Sequence, residues 1–300
     1  MVMPEKTEDA KANRIDVLAG VACGVTLVLW ASAFVVIRHI GEDVSPAALT
    51  VGRLVVAAIV LAPFVVRRGW VRPTRREWVL LILCGVCWFG IYNLTLNAGE
   101  RRIDAGTAAL IVQVGPIIVA LAATVLFGER MTRWLGIGMI VGFAGVVLIA
   151  QGSRTSGHGD LVGVLLVLVS AVMYAVGVMG QKPLLTRIPG AQVVFVSFLI
   201  GALVCAPWAG DLGDTVTHPG DLAWLVYLGV FPTAIGFSTW AFALRHSDVG
   251  KLSLTTFLVP FIATVIAWIT LNEVPPALSF LGGVVAIAGV LLTRRRAAAR

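Results

Sequence analysis

The chain has 300 residues, of which 58% are hydrophobic and 13% charged, with a net charge of +7 and a mean hydropathy of +0.94. A soluble domain of ordinary composition is excluded, because apolar runs this long and numerous belong to a polytopic membrane protein. The net charge of +7 suggests a nucleic-acid partner, but the placement of the arginines argues against one, since they sit in short clusters between apolar runs, where topology signals sit.

The first 14 residues mix Lys6, Lys11 and Arg14 with Glu5, Glu8 and Asp9. The apolar run that follows is too long for a signal-peptide core and ends without an A-x-A-like site, so it reads as an uncleaved first helix. In chain order the hydrophobic runs predict ten membrane-spanning helices, at roughly 17–37, 46–66, 77–98, 105–127, 134–151, 161–181, 191–209, 222–244, 252–271 and 277–293. The connections are short, leaving one membrane domain over residues 1–300. With the N-terminus inside, the cytoplasmic segments collect the clusters at Arg67–Arg76, Arg130–Arg133, Lys182–Arg187, Arg245–Lys251 and from Arg294 onward. The opposite side keeps Arg38, Arg101, Arg102 and Arg154. The positive-inside rule then puts both termini in the cytoplasm. Cys23, Cys84, Cys87 and Cys205 all lie inside apolar segments, so the C-x-x-C pair at 84–87 reads as small packing residues rather than a redox or zinc site.

One stretch repeats. Between Asp104 and Glu129 an uncharged run is interrupted by Gln113 and Pro116. Shifted by 144 positions it meets the stretch from Asp248 to Glu273, pairing Gly106 with Gly250, Leu110 with Leu254, Pro116 with Pro260 and Glu129 with Glu273. The same offset pairs Trp30 with Tyr174, Gly85 with Gly229 and Gly145 with Gly289. Each copy, 15–151 and 160–294, therefore holds five spans, and an odd number sends the second copy through the membrane in the opposite direction. The expected fold class is all-α: a polytopic membrane protein of ten transmembrane helices as two inverted five-helix repeats, with a substrate site near the midplane where they meet.

Five plus five spans, W-A-S-A-F at residues 30–34, Ser45, Pro46 and Arg53 in the second span, and the P…G-E-R and P…N-E endings of spans four and nine resemble the EamA-type drug/metabolite transporters over essentially the whole chain. Within that superfamily the chain is most similar to bacterial exporters of amino acids and related metabolites. The resemblance implies a secondary transporter of the bacterial inner membrane working by alternating access. Two departures, Asn272 against Gly128 and Met173-Tyr174 against Leu29-Trp30, mean that the halves have diverged and the pore need not be symmetric.

Pro116 and Pro260 lack an amide hydrogen and push away the carbonyl four residues earlier, those of Val112 and Thr256. In lipid such a carbonyl must face protein or a water-filled cavity. Both kinks are expected to line a transport cavity, a packing kink satisfied by a neighbouring helix being the alternative. Gln113 and Asn93 are polar residues deep in apolar helices, and such residues face the bundle interior. Their amides suit a substrate's amino or carboxylate group, or a tie between two helices. Asn97 shares the face of Asn93, and Tyr92 points about 100° away from it. Trp30 and Tyr174, near mid-membrane, wall a pocket for apolar or aromatic side chains or simply pack helices. Thr256, with Thr255, faces the same cavity or bonds its own preceding turn. Substrate contacts are thus expected from Trp30, Asn93, Gln113, Tyr174 and Thr256, with Ser238 and Trp240 as weaker candidates.

Arg53 is the most inward charge, and by default it snorkels outward unless it finds a partner or an anionic group. Glu129 and Glu273 end their spans and read as anchors rather than coupling acids. With no buried carboxylate of the kind that couples transport to protons or sodium, downhill or weakly coupled transport is expected. The chain has no H-E-x-x-H, G-x-S-x-G or phosphate-binding loop, and its four histidines are scattered near loops, so no enzyme, cofactor or metal is implied. A lipid enzyme would need clustered acids, histidines or a nucleophile. The expected partners are a neutral or zwitterionic small molecule and membrane lipid, with drugs, sugars or nucleobases as alternative cargo. Gly138-x-x-x-Gly142 and Gly282-x-x-x-Ala286 are small faces that either dimerise or pack within one chain, and a monomer is favoured.

Overall fold

The computed structural model describes residues 5–40, 44–102, 111–152, 160–271, 276–293 and 295, and among these its regular structure is entirely helical. The repeat positions Asp104, Gly106, Leu110, Asn272 and Glu273, together with Arg154 and His158, lie outside the described residues. The helices are α1 (Glu5–Ile40), α2 (Pro46–Arg68), α3 (Arg75–Leu83, continuing through Cys84–Ile91 and Tyr92–Glu100), α4 (Val114–Leu126) and α5 (Arg133–Gly152). They are followed by α6 (Leu161–Leu184), α7 (Gly190–Cys205), α8 (Pro219–Leu228 through Gly229–Ile235 to Gly236–His246), α9 (Val249–Leu254 through Thr255–Leu258 to Val259–Leu271) and α10 (Ala277–Thr293). Eight of these stretches are long and apolar enough to cross a membrane, and α4 and α10 are shorter apolar helices. Helices satisfy every backbone group within the segment while exposing apolar side chains such as Ile59, Val125, Leu203 and Ile269 to the outside. The chain is a multi-pass membrane protein.

Two stretches take the wider π-helical geometry. Cys84–Ile91 in α3 and Gly229–Ile235 in α8 are π-helical, and they end on Ile91 and Ile235, which are 144 positions apart. The wider turn loosens the regular ladder, and polar side chains take up the slack. Asn93 Nδ2 donates to the carbonyls of Phe89 at 2.9 Å and Trp88 at 3.3 Å. Thr233 Oγ1 donates to Leu228 O at 2.7 Å, next to Pro232, which has no amide hydrogen.

Both prolines sit at interruptions of the regular α-helical ladder. Pro116 lies in the first turn of α4, after a turn at Gln113, where a missing N–H costs little. Pro260 is the second residue of Val259–Leu271, directly after the 3-10 stretch Thr255–Leu258, and α9 continues through it, with the Val259 N–H bonded to Thr256 O.

Side chains tie the helix ends together in two groups. At one end, Glu77 pairs with Arg187, Gln192 exchanges two hydrogen bonds with the backbone of Val71, and Lys182 donates to the carbonyls of Leu244 and Ser247 at 2.6 and 2.8 Å. Gly128 has a φ of 65°, and this left-handed turn brings Glu129 to the start of α9. There its carboxylate accepts from the N–H groups of Val249 at 2.5 Å and Gly250 at 2.9 Å, where the helix dipole also favours negative charge. At the other end, Ser45 caps α2 and donates its hydroxyl and its N–H to Asp211 at 2.6 and 3.0 Å, while Arg102 pairs with Asp160 at 2.8 Å. The Arg102 hydrogen bond holds the exposed Asp160 carboxyl below its ordinary pKa.

The small faces singled out in the sequence pack within the chain. A Cβ added at Gly145 would meet the backbone of Gly282 and Ala286, and one at Gly138 would meet Gly289 O and Thr293. The backbones of α5 and α10 approach so closely that glycine is required, as in close-packed membrane helices.

Candidate functional site

A cavity of about 110 Å³ lies inside the bundle, extending from its middle toward the end marked by Ile40, Pro46 and Glu100. It is smaller than the ~300–1,000 Å³ of typical ligand sites, so in this conformation it admits only a small molecule. All five expected contacts, Trp30, Asn93, Gln113, Tyr174 and Thr256, line it together with Pro116. Pro260 does not. It is half-buried, one residue beyond Val259, which does form part of the wall. Thr255 is turned away to Cys23 Sγ at 3.3 Å, so of the two threonines only Thr256 faces the cavity.

One wall is aromatic. The Trp30 ring lies 5.0 Å from Phe237 and 6.4 Å from Trp88, and Trp88 lies 5.3 Å from Phe237 and 5.5 Å from Tyr174, most of them edge-to-face. These are favourable aromatic geometries, and they fix the rings as one unit. Trp240 stands behind Trp30 at 5.0 Å and is fully buried, outside the cavity lining, as is Ser238. Tyr92 also lines the cavity, although one helix position separates it from Asn93. The cavity wraps around α3 here rather than facing a single stripe.

The polar groups divide by how much bonding capacity the fold uses. Asn93 gives its amide hydrogens to its own π-helical turn. Asn97 reaches across to α2, at 3.4 Å from Thr50 Oγ1 and 3.5 Å from Pro46 O. Tyr174 Oη lies 3.4 Å from Ser253 Oγ, and the Thr256 hydroxyl donates to Ser253 O at 2.7 Å, its own preceding turn. The carbonyl of Thr256, which already accepts from the Val259 N–H, also accepts from Gln113 Nε2 at 3.5 Å. The two repeat-related proline interruptions are thus joined by one side chain. Gln113 itself is buried, and its Oε1 has no hydrogen-bond partner among the described residues.

Arg53 overturns the snorkelling expectation. Its Nε donates to Thr233 Oγ1 at 2.9 Å, midway along α8, and its side chain lines the cavity. It is the only charged residue in that lining, and it has no carboxylate partner among the described residues. Arg53, Trp88, Tyr92 and Phe237 are among the lining residues that sequence reasoning did not select. For Arg53 the deciding signal was remote, since Thr233 lies 180 positions further along the chain. For Phe237 no polar atom marks the position. The cysteine pair is inert packing, both thiols free and buried, with Cys84 Sγ donating to Gly177 O at 3.2 Å.

The model of the EamA-like transporter family matches this chain twice, over residues 18–151 and 161–295. The chain is 36% identical to a "probable terminal-alkyne amino-acid exporter" of Streptantibioticus cattleyicolor, over 92% of this chain and 93% of that protein. It is 31% identical to the uncharacterized transporter YdfC of Bacillus subtilis, over 88% and 87% respectively. A solved crystal structure at 21% identity superposes with a TM-score of 0.78, over 92% of this chain and 96% of its own, a likeness of fold alone. A double family match spanning the chain, with helices on both sides of a central cavity, establishes that this protein belongs to the EamA-like transporter family.

Proposed function

We propose that this protein exports amino acids or related small metabolites across the bacterial inner membrane by alternating access. In this reading ten spans form two inverted five-helix repeats, 15–151 and 160–294, with both termini cytoplasmic. The observation that carries the reading is the cavity. Its wall takes Trp30, Asn93, Gln113 and Pro116 from the first half and Tyr174, Phe237, Thr256 and Val259 from the second. A site shared between halves is what an inverted-repeat carrier needs, because rocking one half against the other opens it to alternate sides. The double family match and the π-helical stretches ending 144 positions apart support the repeat.

The Streptantibioticus relative is named for an amino-acid cargo, and a small zwitterion fits an aromatic wall flanked by amides. No carboxylate lines the cavity among the described residues, which favours downhill or weakly coupled movement over tight proton coupling. The experiment is counterflow into proteoliposomes with labelled amino acids, sugars and nucleosides. Amino acids are expected to exchange. Movement of sugars or nucleosides without any amino acid would overturn the cargo, and a steep dependence of uptake on an imposed pH gradient would overturn the weak coupling.

A further inference from the structure

We propose that Arg53 is the carboxylate-binding group of the cavity, so that the cargo enters with a carboxylate against the guanidinium and its apolar part against Trp30, Trp88 and Phe237. This rests on the cavity being the cargo site. The first argument is energetic. A guanidinium drawn into a membrane bundle is costly unless something compensates its charge. A snorkelling arginine avoids that cost by reaching the interface. Arg53 instead bonds Thr233 midway along α8. No carboxylate among the described residues pairs with it, and none lines the cavity. Beyond the Thr233 hydroxyl and the neighbouring Tyr92, the compensation is left to what occupies the cavity, water when it is empty and an anionic group when it is loaded.

The second argument is geometric. The Thr233 hydroxyl gives its hydrogen to Leu228 O and accepts from Arg53 Nε. That contact fixes the stem and leaves both Nη groups without a partner among the described residues. Two terminal N–H groups on one plane match the two oxygens of a carboxylate, a fit that lysine's point charge does not reproduce. The third argument concerns the opposite charge. Gln113 Oε1 is a buried acceptor with no partner among the described residues, and Gln113 belongs to the same lining. A buried acceptor left unmade is costly, and an ammonium group on the cargo would satisfy it. A single cation, an orphan acceptor and an aromatic wall around a small cavity select an α-amino acid with an apolar side chain over its amide, its amine or a sugar.

The test uses the full-length chain in proteoliposomes, with L-leucine and L-leucinamide as probes. Wild-type leucine counterflow should be competed by leucine and at least about tenfold less well by leucinamide, the loss expected for one charge-assisted pair. Arg53→Gln should raise the half-saturation for leucine by about tenfold or more, with Arg53→Lys in between. Equal competition by leucinamide in the wild type, or an unchanged half-saturation in Arg53→Gln, would overturn the proposal. The wild-type competition decides the matter even if the glutamine variant does not fold. A wild type that exchanges no amino acid overturns the cargo reading and this proposal together. A wild type that exchanges leucine, with Arg53→Gln exchanging it at the same half-saturation, overturns this proposal alone.

Discussion

Arg53 and Glu129 are both charges drawn toward the bundle, and the fold treats them oppositely. Glu129 sits where α4 ends, and its two oxygens accept from two N–H groups at the start of α9. Its charge is absorbed by backbone that had no intrahelical partner in any case. Arg53 sits beside a cavity, held by one hydroxyl, with its remaining donors uncommitted among the described residues. The difference separates a latch from a site: a charge whose bonding capacity is filled by backbone holds helices together, and a charge with capacity left over is available to a ligand.

Substitutions at the two positions should therefore move different quantities. The largest effect is expected for Arg53→Gln, a rise of about tenfold or more in half-saturation for a carboxylate cargo with little change in thermal stability. A large drop in melting temperature with unchanged half-saturation would make Arg53 a structural residue and erase the contrast. Next comes Glu129→Ala. It removes an N-terminal cap from α9 and should cost about 1–2 kcal/mol, read as a lower melting temperature in detergent, while leaving leucine half-saturation unaltered. A changed half-saturation with unchanged stability would show that the latch reaches the cargo.

Gln113→Leu sharpens the contrast from the side of the cavity. It removes the orphan acceptor, so it should weaken leucine counterflow several-fold without destabilising the protein, since the bond it gives up is a long one at 3.5 Å. Full retention of counterflow would confine Gln113 to joining the two proline interruptions. The smallest effect lies at the far end of the bundle. Burial pushes the Asp211 carboxyl up, but the hydrogen bonds from the Ser45 hydroxyl and N–H outweigh it and hold the pKa below the ordinary aspartate value. A depressed folded-state pKa gives stability that is fully present above the unfolded value and is lost as pH falls through the folded one. Melting temperatures should thus decline below about pH 4, and Asp211→Asn should show a shallower decline.

Much of this was legible because membranes make sequences simple. Gln113 and Asn93 stand out against apolar helices, and a polar group at such depth has nowhere to point but inward. The offset of 144 positions linked Pro116 to Pro260 before any helix was located. What could not be read depended on a partner in another helix or on the local pitch. The turn of Arg53 inward depends on Thr233. The π-helical stretches place Asn93 under Phe89 and widen the cavity wall to include Tyr92, and a 3.6-residue periodicity does not register the extra residue. Pro116 and Pro260 look equivalent in sequence, yet of the two only Pro116 lines the cavity.

Whether the cavity is the cargo site is tested most directly by placing a thiol on its wall. The four native cysteines are buried, so Asn97→Cys, on the half-buried part of the lining, offers a single target for a membrane-impermeant methanethiosulfonate. Leucine should slow its labelling at the same concentrations that saturate counterflow, and the Arg53→Gln background should shift that protection to leucine concentrations about tenfold or more higher. A labelling rate indifferent to leucine at saturating counterflow would mean that the cargo crosses elsewhere.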